Sequence, residues 1–181
     1  MMKLKIGAIN AATPTPLKAD GGLDKASAKR LCARWLDIGL DGVFMLGSMG
    51  EGMFLPEATR DAFIETALPA LKGRMTVFAS AADHSRARMI ERARRYAKMG
   101  ADCVVLCLPV NASPARGIAD VKAAADACPV PCAYYDVPAN TGTALALPEI
   151  LEILKHKNIK ACKDSSGNPL IAQALFRGPG F

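Results

Sequence analysis

The stretch that decides the fold is MTVFASAADHSRARMIERARRYAKMGADCVVLCL, residues 75–108. It contains two short apolar runs, Met75–Ser80 and Cys103–Leu108, and apolar runs without polar alternation are typical of strands that are covered on both faces. Between them, Ser85–Met99 has the spacing of an amphipathic helix. Its apolar stripe consists of Met89, Ala93 and Tyr96. The stretch therefore predicts a strand, a helix and a second strand parallel to the first.

The same alternation continues along the rest of the chain. Four more runs have the composition of buried strands: Ile6–Ala12, Val43–Leu46, Val130–Tyr135 and Ile159–Lys163. Five more segments are predicted to be helices: Asp24–Ile38, Glu57–Leu71, Pro114–Ala127, Leu147–Lys155 and Pro169–Phe176. Regular βα units indicate an α/β fold with a parallel sheet and outer helices. No change in composition marks a linker, so we expect one domain over residues 1–181.

Two architectures are compatible with six βα units. A doubly wound sheet would be complete with about six strands, whereas a (β/α)8 barrel needs two more units and typically about 250 residues. Strand count alone favours the doubly wound sheet. A dinucleotide-binding version requires a Gly-x-Gly-x-x-Gly turn after the first strand, but the glycine-rich segment Gly47–Gly52 follows the second strand in another order. This segment is either a tight turn or a set of backbone N–H groups that could bind a carboxylate.

Composition excludes several classes of protein. The 181 residues are 51% hydrophobic, with mean hydropathy +0.15 and net charge +6, which is ordinary for a globular domain and excludes disorder. No apolar run approaches the roughly 18 residues of a membrane span, so we expect a cytoplasmic protein without a membrane partner. The cations are scattered and aromatic residues make up only 6% of the chain, so we expect no nucleic-acid partner. The six cysteines lack the spacing of a zinc site, and we expect no metal.

Polar side chains stand at the ends of the last two predicted strands. One strand ends at Tyr135 and the next ends at Lys163. Neighbouring parallel strands lie about 4.8 Å apart and place their carboxyl ends at one edge, where βα folds carry their chemistry. Burial of a lysine lowers the pKa of its ammonium group and frees the amine as a nucleophile. From spacing alone, a strand-end lysine that reaches solvent remains the alternative.

Three motifs identify a known family. They are GSMGE at 47–51, YDVPANTG at 135–142 and KDSSGN at 163–168. In this order they resemble the signatures of the dihydrodipicolinate synthase/N-acetylneuraminate lyase family, and the resemblance covers essentially the whole chain. It implies a TIM-type (β/α)8 barrel, usually a homotetramer, that acts as a class I aldolase or lyase on pyruvate or a related 2-oxo acid without a cofactor. Because only about six βα units are present, it also implies a C-terminally truncated member with an incomplete barrel.

The resemblance also implies roles for individual residues. Lys163 attacks the ketone of the 2-oxo acid to form a Schiff base, and Tyr135 transfers protons as general acid and base. Ser48 helps to relay the proton. Gly47, Ser48 and Met49 bind the substrate, and the backbone N–H groups of the last two hold its carboxylate. We therefore expect a small-molecule partner and a homo-oligomer.

Departures from the synthase pattern concern the second substrate. Ser48 and Met49 stand where synthases of the family usually carry two threonines, and Leu108–Asn111 lacks the paired tyrosines that follow strand four. Asn140 replaces the arginine of the fifth loop, and an amide cannot supply the charge with which a guanidinium binds a carboxylate. These changes favour a lyase or aldolase with another second substrate. A true 4-hydroxy-tetrahydrodipicolinate synthase remains an alternative, as does a weakly active or inactive fragment that needs partner chains.

If only six strands of an eight-stranded barrel are present, two strand edges are left unpaired and part of the inner face is left uncovered. Each core side chain that loses its cover gives up roughly 1.5–3 kcal/mol of burial, a large part of a total stability of about 5–15 kcal/mol. We expect this chain by itself to be poorly soluble or to dimerise through these edges. Light scattering and denaturant unfolding measure this, and a monomer with a cooperative transition of normal steepness would contradict it.

Overall fold

The computed structural model describes residues 9–177, which form two compact units. The first unit contains residues 9–80 and 95–103, and the second contains residues 81–94 and 104–177. One helix, Arg86–Met99, contributes residues to both units. The expectation of a single domain over residues 1–181 stays a prediction.

The first unit alternates strands and helices. Its elements are β1 (Asn10–Ala12), α1 (Lys25–Asp37), β2 (Gly42–Met45), α2 (Glu57–Leu71), β3 (Thr76–Ser80) and residues 95–99 of α3 (Arg86–Met99). β2 pairs in parallel with β1 on one side and with β3 on the other. It is buried along its whole length, as expected for a strand without polar alternation. The part of the predicted first strand that precedes residue 9 lies outside the described residues.

Helix α1 begins and ends where the sequence provides caps. Asp24 precedes the helix and accepts hydrogen bonds from the backbone N–H and the hydroxyl of Ser27, at 3.0 and 2.6 Å. Gly39 follows the helix with a φ angle of +75°, a conformation that glycine adopts without steric cost. The buried face of the helix is formed by Ala28, Cys32 and Trp35.

Helix α2 carries a buried arginine on its apolar face. The apolar residues of this face are Phe63, Ile64, Ala67, Leu68 and Leu71. Arg60 lies among them with an exposure of 0%, and its guanidinium donates to the hydroxyl of Tyr96 at 3.0 Å, to the carbonyl of Ser80 at 2.7 Å and to the carbonyl of Gly52. Because a buried charge without partners is strongly unfavourable, these acceptors fix the position of α2 against β3 and α3.

The second unit continues the same pattern. It contains residues 86–94 of α3, β4 (Cys103–Leu106) from residue 104 onward, α4 (Pro114–Ala127), β5 (Cys132–Asp136), α5 (Pro138–Thr141), α6 (Leu147–Leu154), β6 (Ile159–Asp164) and α7 (Pro169–Arg177). β5 pairs in parallel with β4 and with β6. β5 is fully buried, whereas β6 is buried only at Ile159. Among residues 9–177 no strand pairs with the other edge of β6, which explains its greater exposure.

The predicted elements agree closely with the structure. Alternating strands and helices with parallel pairing confirm the α/β class. Helices α2 and α4 have the predicted bounds, and the remaining elements within the described range differ by two residues or fewer at each end. The exception is α5, which was not predicted because four residues are too few to display helical periodicity.

Arg60→Met should destabilise the first unit. The substitution leaves two buried carbonyls and a phenol without their donor, so we expect a loss of about 2–4 kcal/mol in the free energy of unfolding. Urea unfolding measures this. Arg30→Met, at an exposed position of α1, is the matched control and should change stability by less than about 0.5 kcal/mol. Equal effects of the two substitutions would contradict the structural role of Arg60.

Candidate active site

Tyr135 and Lys163 lie side by side near the carboxyl ends of β5 and β6. They are paired in the parallel register of the two strands. The Nζ atom of Lys163 lies 4.4 Å from the centre of the Tyr135 ring, which is the geometry of a cation–π contact. Tyr135 is 7% exposed and Lys163 is half-buried. The structure therefore brings together, on one face of the strands, the residues predicted as nucleophile and proton carrier.

An irregularity in the strand pairing makes this contact possible. Cys132 is paired with Ile159, but the next residue of β5, Ala133, is paired with Ala161. β6 thus contains one extra residue at this point, as in a β-bulge. Without the extra residue, Lys163 would be paired with Asp136 rather than with Tyr135. The bulge at the start of the two strands therefore sets the register at their carboxyl ends.

Further hydrogen bonds hold the end of β6. The N–H of Ser165 donates to the carbonyl of Asp136 at 2.8 Å, which extends the pairing of the two strands beyond Lys163. Asp164 then accepts a hydrogen bond from the N–H of Ser166 at 2.9 Å and closes a tight turn. Lys163 is consequently held on an ordered part of the strand rather than at a frayed end.

The opposite face of these strands carries a buried carboxyl group. Asp136 is 2% exposed, accepts a hydrogen bond from the Tyr134 hydroxyl at 3.2 Å, and has Asp164 as its cross-strand neighbour. Burial raises the pKa of Asp136, the hydrogen bond lowers it and the charge of Asp164 raises it, with a net upward shift. Burial, followed by the charge of Asp136, also raises the pKa of Tyr134. This face therefore disfavours negative charge.

The loop Gly47–Gly52 follows β2 in the first unit as a series of tight turns. The N–H groups of Gly50 and Gly52 both donate to the carbonyl of Gly47, at 3.1 and 3.2 Å. A Cβ atom at Gly52 would lie 1.9 Å from the carbonyl oxygen of Leu46, so only glycine is compatible with this turn. Leu46 and Glu51 have φ angles of +59° and +53°, and such strain costs about 1–3 kcal/mol per residue and concentrates at functional sites.

The three predicted substrate-binding residues lie together at the start of this loop. Gly47 is buried, while Ser48 and Met49 are exposed. Over residues 9–177 the backbone N–H of Met49 has no hydrogen-bond partner, which leaves it available to an anion. The far side of the loop is anchored by the Thr15 hydroxyl, which donates to the carbonyl of Gly50 at 2.6 Å, and by Arg60.

Two residues that shape these sites were missed in the sequence. Arg60 precedes Phe63, Ile64 and Ala67 by three, four and seven residues, so it stands on the apolar stripe of its helix. A charge at such a position indicates a buried, hydrogen-bonded side chain, and this signal was available. For Asp136 no comparable signal exists, because its neighbour Asp164 is brought to it only by the strand register.

The second unit also has an open pocket of about 430 Å³ beside the end of β6. Its lining residues are Asp164, Ser165, Gly167, Asn168, Pro169 and Ala172. Neither Lys163 nor Tyr135 lines it, so the pocket is separate from the lysine–tyrosine contact.

The described part of the chain contains neither a candidate metal site nor a candidate membrane span. Within it, no three His, Cys, Asp or Glu side chains lie close enough together to hold a metal ion. Between residues 9 and 177, no helix combines the length and apolar character that a membrane crossing requires.

Comparison with known proteins finds similar sequences and structures in one family. The sequence model of the dihydrodipicolinate synthetase family matches residues 5–176. A 4-hydroxy-tetrahydrodipicolinate synthase from Stenotrophomonas maltophilia is 32% identical over 182 residues, 98% of this chain. A dihydrodipicolinate synthase from Agrobacterium tumefaciens is 29% identical with a TM-score of 0.81 over 86% of this chain. The chloride-inhibited synthase from Acinetobacter baumannii, complexed with pyruvate, is 25% identical with a TM-score of 0.89 over 95% of it.

These likenesses decide between the two predicted architectures. The fold class that follows is an incomplete TIM-type (β/α)8 barrel with six parallel βα units, as the motifs implied, and the doubly wound sheet favoured by strand count is wrong. The chain spans 61% of the S. maltophilia relative, 60% of the A. baumannii chain and 53% of the A. tumefaciens chain. The strand count misled because it assumed that every unit of the fold was present.

Asp136→Asn should change how stability depends on pH. The raised pKa of Asp136 means that the folded state binds its proton more tightly than the unfolded state, whose pKa is near 3.8. The stability contributed by this group is therefore fully present below that value and is lost as the pH rises through the raised pKa. The amide resembles the protonated acid, so the variant should be more stable than the wild type at neutral pH but not in acid.

Urea midpoints at neutral pH and at about pH 4 measure this difference. Asp126→Asn is the matched control, because the side chain of Asp126 is 62% exposed in the same unit. If the variant loses stability equally at both pH values, the carboxylate of Asp136 is needed for folding. That result would contradict a pKa of Asp136 that is raised in the folded state.

Proposed function

The chain belongs to the dihydrodipicolinate synthetase family, and we propose that it is a class I aldolase or lyase whose Lys163 forms a Schiff base with pyruvate or a related 2-oxo acid. The observation that carries the proposal is the position of the Lys163 ammonium 4.4 Å from the centre of the Tyr135 ring. A nucleophilic amine needs a proton-transfer partner within reach, and the phenol is supplied by the paired residue of the next strand.

The proposed reaction begins with the neutral amine of Lys163. Its nitrogen attacks the ketone carbon of the 2-oxo acid, and the carbonyl oxygen leaves as water after it has gained two protons. The product is a protonated imine, which withdraws electrons from the neighbouring carbon. A bond to that carbon can then break, or its proton can leave, with the electron pair held by the imine. Tyr135 donates and accepts the protons of these steps.

The loop of the first unit is proposed to bind the acid group. The N–H groups of Ser48 and Met49 would hold the carboxylate of the substrate, and Gly47 permits the turn that exposes them. The unpartnered N–H of Met49 supports this assignment. Ser48 would relay protons through its hydroxyl. These roles derive from the family motif, in which the sequence GSMGE stands at residues 47–51.

The proposal for the second substrate rests on the residue at position 140, where the synthase pattern has an arginine. Asn140 is exposed on α5, where it offers no positive charge to a second carboxylate. This favours a lyase or aldolase whose second substrate is not bound through a guanidinium at this position. Synthase activity is the second candidate, and the 32% identity to a 4-hydroxy-tetrahydrodipicolinate synthase favours it. A cytoplasmic location and a homotetrameric assembly remain predictions.

Trapping with borohydride tests the proposal. Pyruvate and sodium borohydride should reduce the imine to a stable secondary amine on Lys163, which peptide mass spectrometry locates. Lys163→Arg should abolish this adduct, whereas Lys160→Arg, at an exposed position of the same strand, should leave it unchanged. If Lys163 carries no adduct while a full-length relative treated in parallel does, the fragment that needs partner chains is the better interpretation.

Tyr135→Phe tests the proton carrier separately from the nucleophile. The variant keeps an aromatic ring beside the lysine but lacks the hydroxyl, so trapping should slow by about 10²–10⁴-fold. Tyr134→Phe, which removes a phenol from the opposite face, is the matched control and should have little effect on the trapping rate. Equal slowing in both variants would exclude Tyr135 as the specific proton carrier.

A further inference from the structure

Arg60 carries a buried positive charge that no carboxylate of the described structure neutralises. Its side chain is 0% exposed, and its three acceptors are neutral groups, two backbone carbonyls and a phenol. Glu57 and Asp61 of the same helix pair with Arg95 instead, and within residues 9–177 no Asp or Glu forms an ion pair with Arg60. Because a buried charge usually has a partner of opposite sign, the charge of Arg60 is unusual in being uncompensated.

The guanidinium of Arg60 joins the loop Gly47–Gly52 to the neighbouring elements. One terminal nitrogen donates to the carbonyl of Gly52, the last residue of the loop. The other terminal nitrogen donates to the carbonyl of Ser80, at the end of β3, at 2.7 Å, and Nε donates to the hydroxyl of Tyr96, on α3, at 3.0 Å. Each nitrogen thus has its own acceptor, which suits the rigid fork of a guanidinium better than the single ammonium of a lysine.

Gly52 connects Arg60 with the start of the loop. The N–H of Gly52 donates to the carbonyl of Gly47 at 3.2 Å, and the N–H of Gly50 donates to the same carbonyl at 3.1 Å. In a trans peptide the N–H points away from the carbonyl of the same peptide group. Because two hydrogen bonds turn the carbonyl of Gly47 into the loop, the N–H of Ser48, which belongs to that peptide group, points out of the loop.

The next peptide group of the loop is oriented in the same way. The carbonyl of Ser48 accepts a hydrogen bond from the N–H of Glu51 at 3.1 Å, so the N–H of Met49 also points out of the loop. The two N–H groups that are proposed to hold the substrate carboxylate are therefore both directed away from the hydrogen bonds that close the loop. Arg60 stabilises this arrangement through the carbonyl of Gly52.

We propose that Arg60 is a positioning residue for the carboxylate of the substrate. Its guanidinium holds the loop with the N–H groups of Ser48 and Met49 directed outward, and its uncompensated charge attracts the anion that these groups bind. A buried charge acts over a longer distance than an exposed one, because the protein interior screens it less than water does. Arg60 acts through the loop and, being fully buried, does not contact the substrate itself. This inference rests on the proposed function, in which the loop binds the acid group of a 2-oxo acid.

The dependence of borohydride trapping on pyruvate concentration tests the inference. A loss of substrate binding raises the concentration that gives half-maximal trapping of Lys163 but leaves the maximal rate unchanged. Arg60→Gln removes the charge and part of the fork, so it should raise this concentration at least about tenfold. Arg60→Lys keeps the charge but not the fork, so its half-saturating concentration should lie between those of the wild type and of Arg60→Gln.

Two control variants separate positioning from folding. Protein that has failed to fold lowers the maximal amount of adduct but not the half-saturating concentration of the folded remainder. Arg30→Gln removes a charge from the exposed surface of α1, and Arg95→Lys alters an arginine whose charge is already paired with Glu57 and Asp61. Both controls should leave the half-saturating concentration unchanged. If either control raises it as much as Arg60→Gln does, the effect is not specific to Arg60 and the inference is wrong.

Amide exchange decides the inference even if the Schiff base does not form. The Lys163→Arg chain cannot form an imine, so hydrogen–deuterium exchange of the loop peptide with added pyruvate measures binding alone. Pyruvate should slow this exchange, and Arg60→Gln in the same background should raise the required concentration at least about tenfold. A wild type without adduct, but with protection that depends on Arg60, would remove the proposed chemistry and keep this inference. Equal protection with and without Arg60→Gln, or no protection of the loop at all, would show that Arg60 has no such role.

Discussion

The contact between Lys163 and Tyr135 depends on the register of two parallel strands. Side chains on a strand alternate between faces, so a shift of one residue would move a side chain to the other face. The extra residue of β6 opposite Cys132 and Ala133 places the lysine beside the ring of Tyr135. Since the irregularity lies at the start of the strands and the contact near their ends, the strand pairing transmits the alignment.

Charged side chains are buried in both units. Asp136 lies on the face opposite to Lys163, where burial and Asp164 oppose its ionisation. In the first unit, Arg60 is fully buried, but its three hydrogen-bond acceptors compensate for the loss of water. One of these acceptors is the carbonyl of Gly52, so the cation also holds the loop whose backbone N–H groups are proposed to bind the substrate.

The cysteines illustrate why exposure alone does not identify a reactive group. Cys162 is the more exposed thiol, but burial and neighbouring carboxylates raise its pKa. Burial also raises the pKa of Cys32 to about 11 and that of Cys107 to about 12.

The sequence by itself determined the α/β class, nearly all element bounds and the family, because apolar periodicity and three motifs are local patterns. Its motifs also corrected the strand count, which had favoured the wrong architecture. Tertiary structure decided what depends on neighbours across strands. It paired Lys163 with Tyr135, placed Asp136 against Asp164 and surrounded Arg60 with acceptors. These outcomes rest on register and packing between residues distant in sequence, which no local pattern encodes.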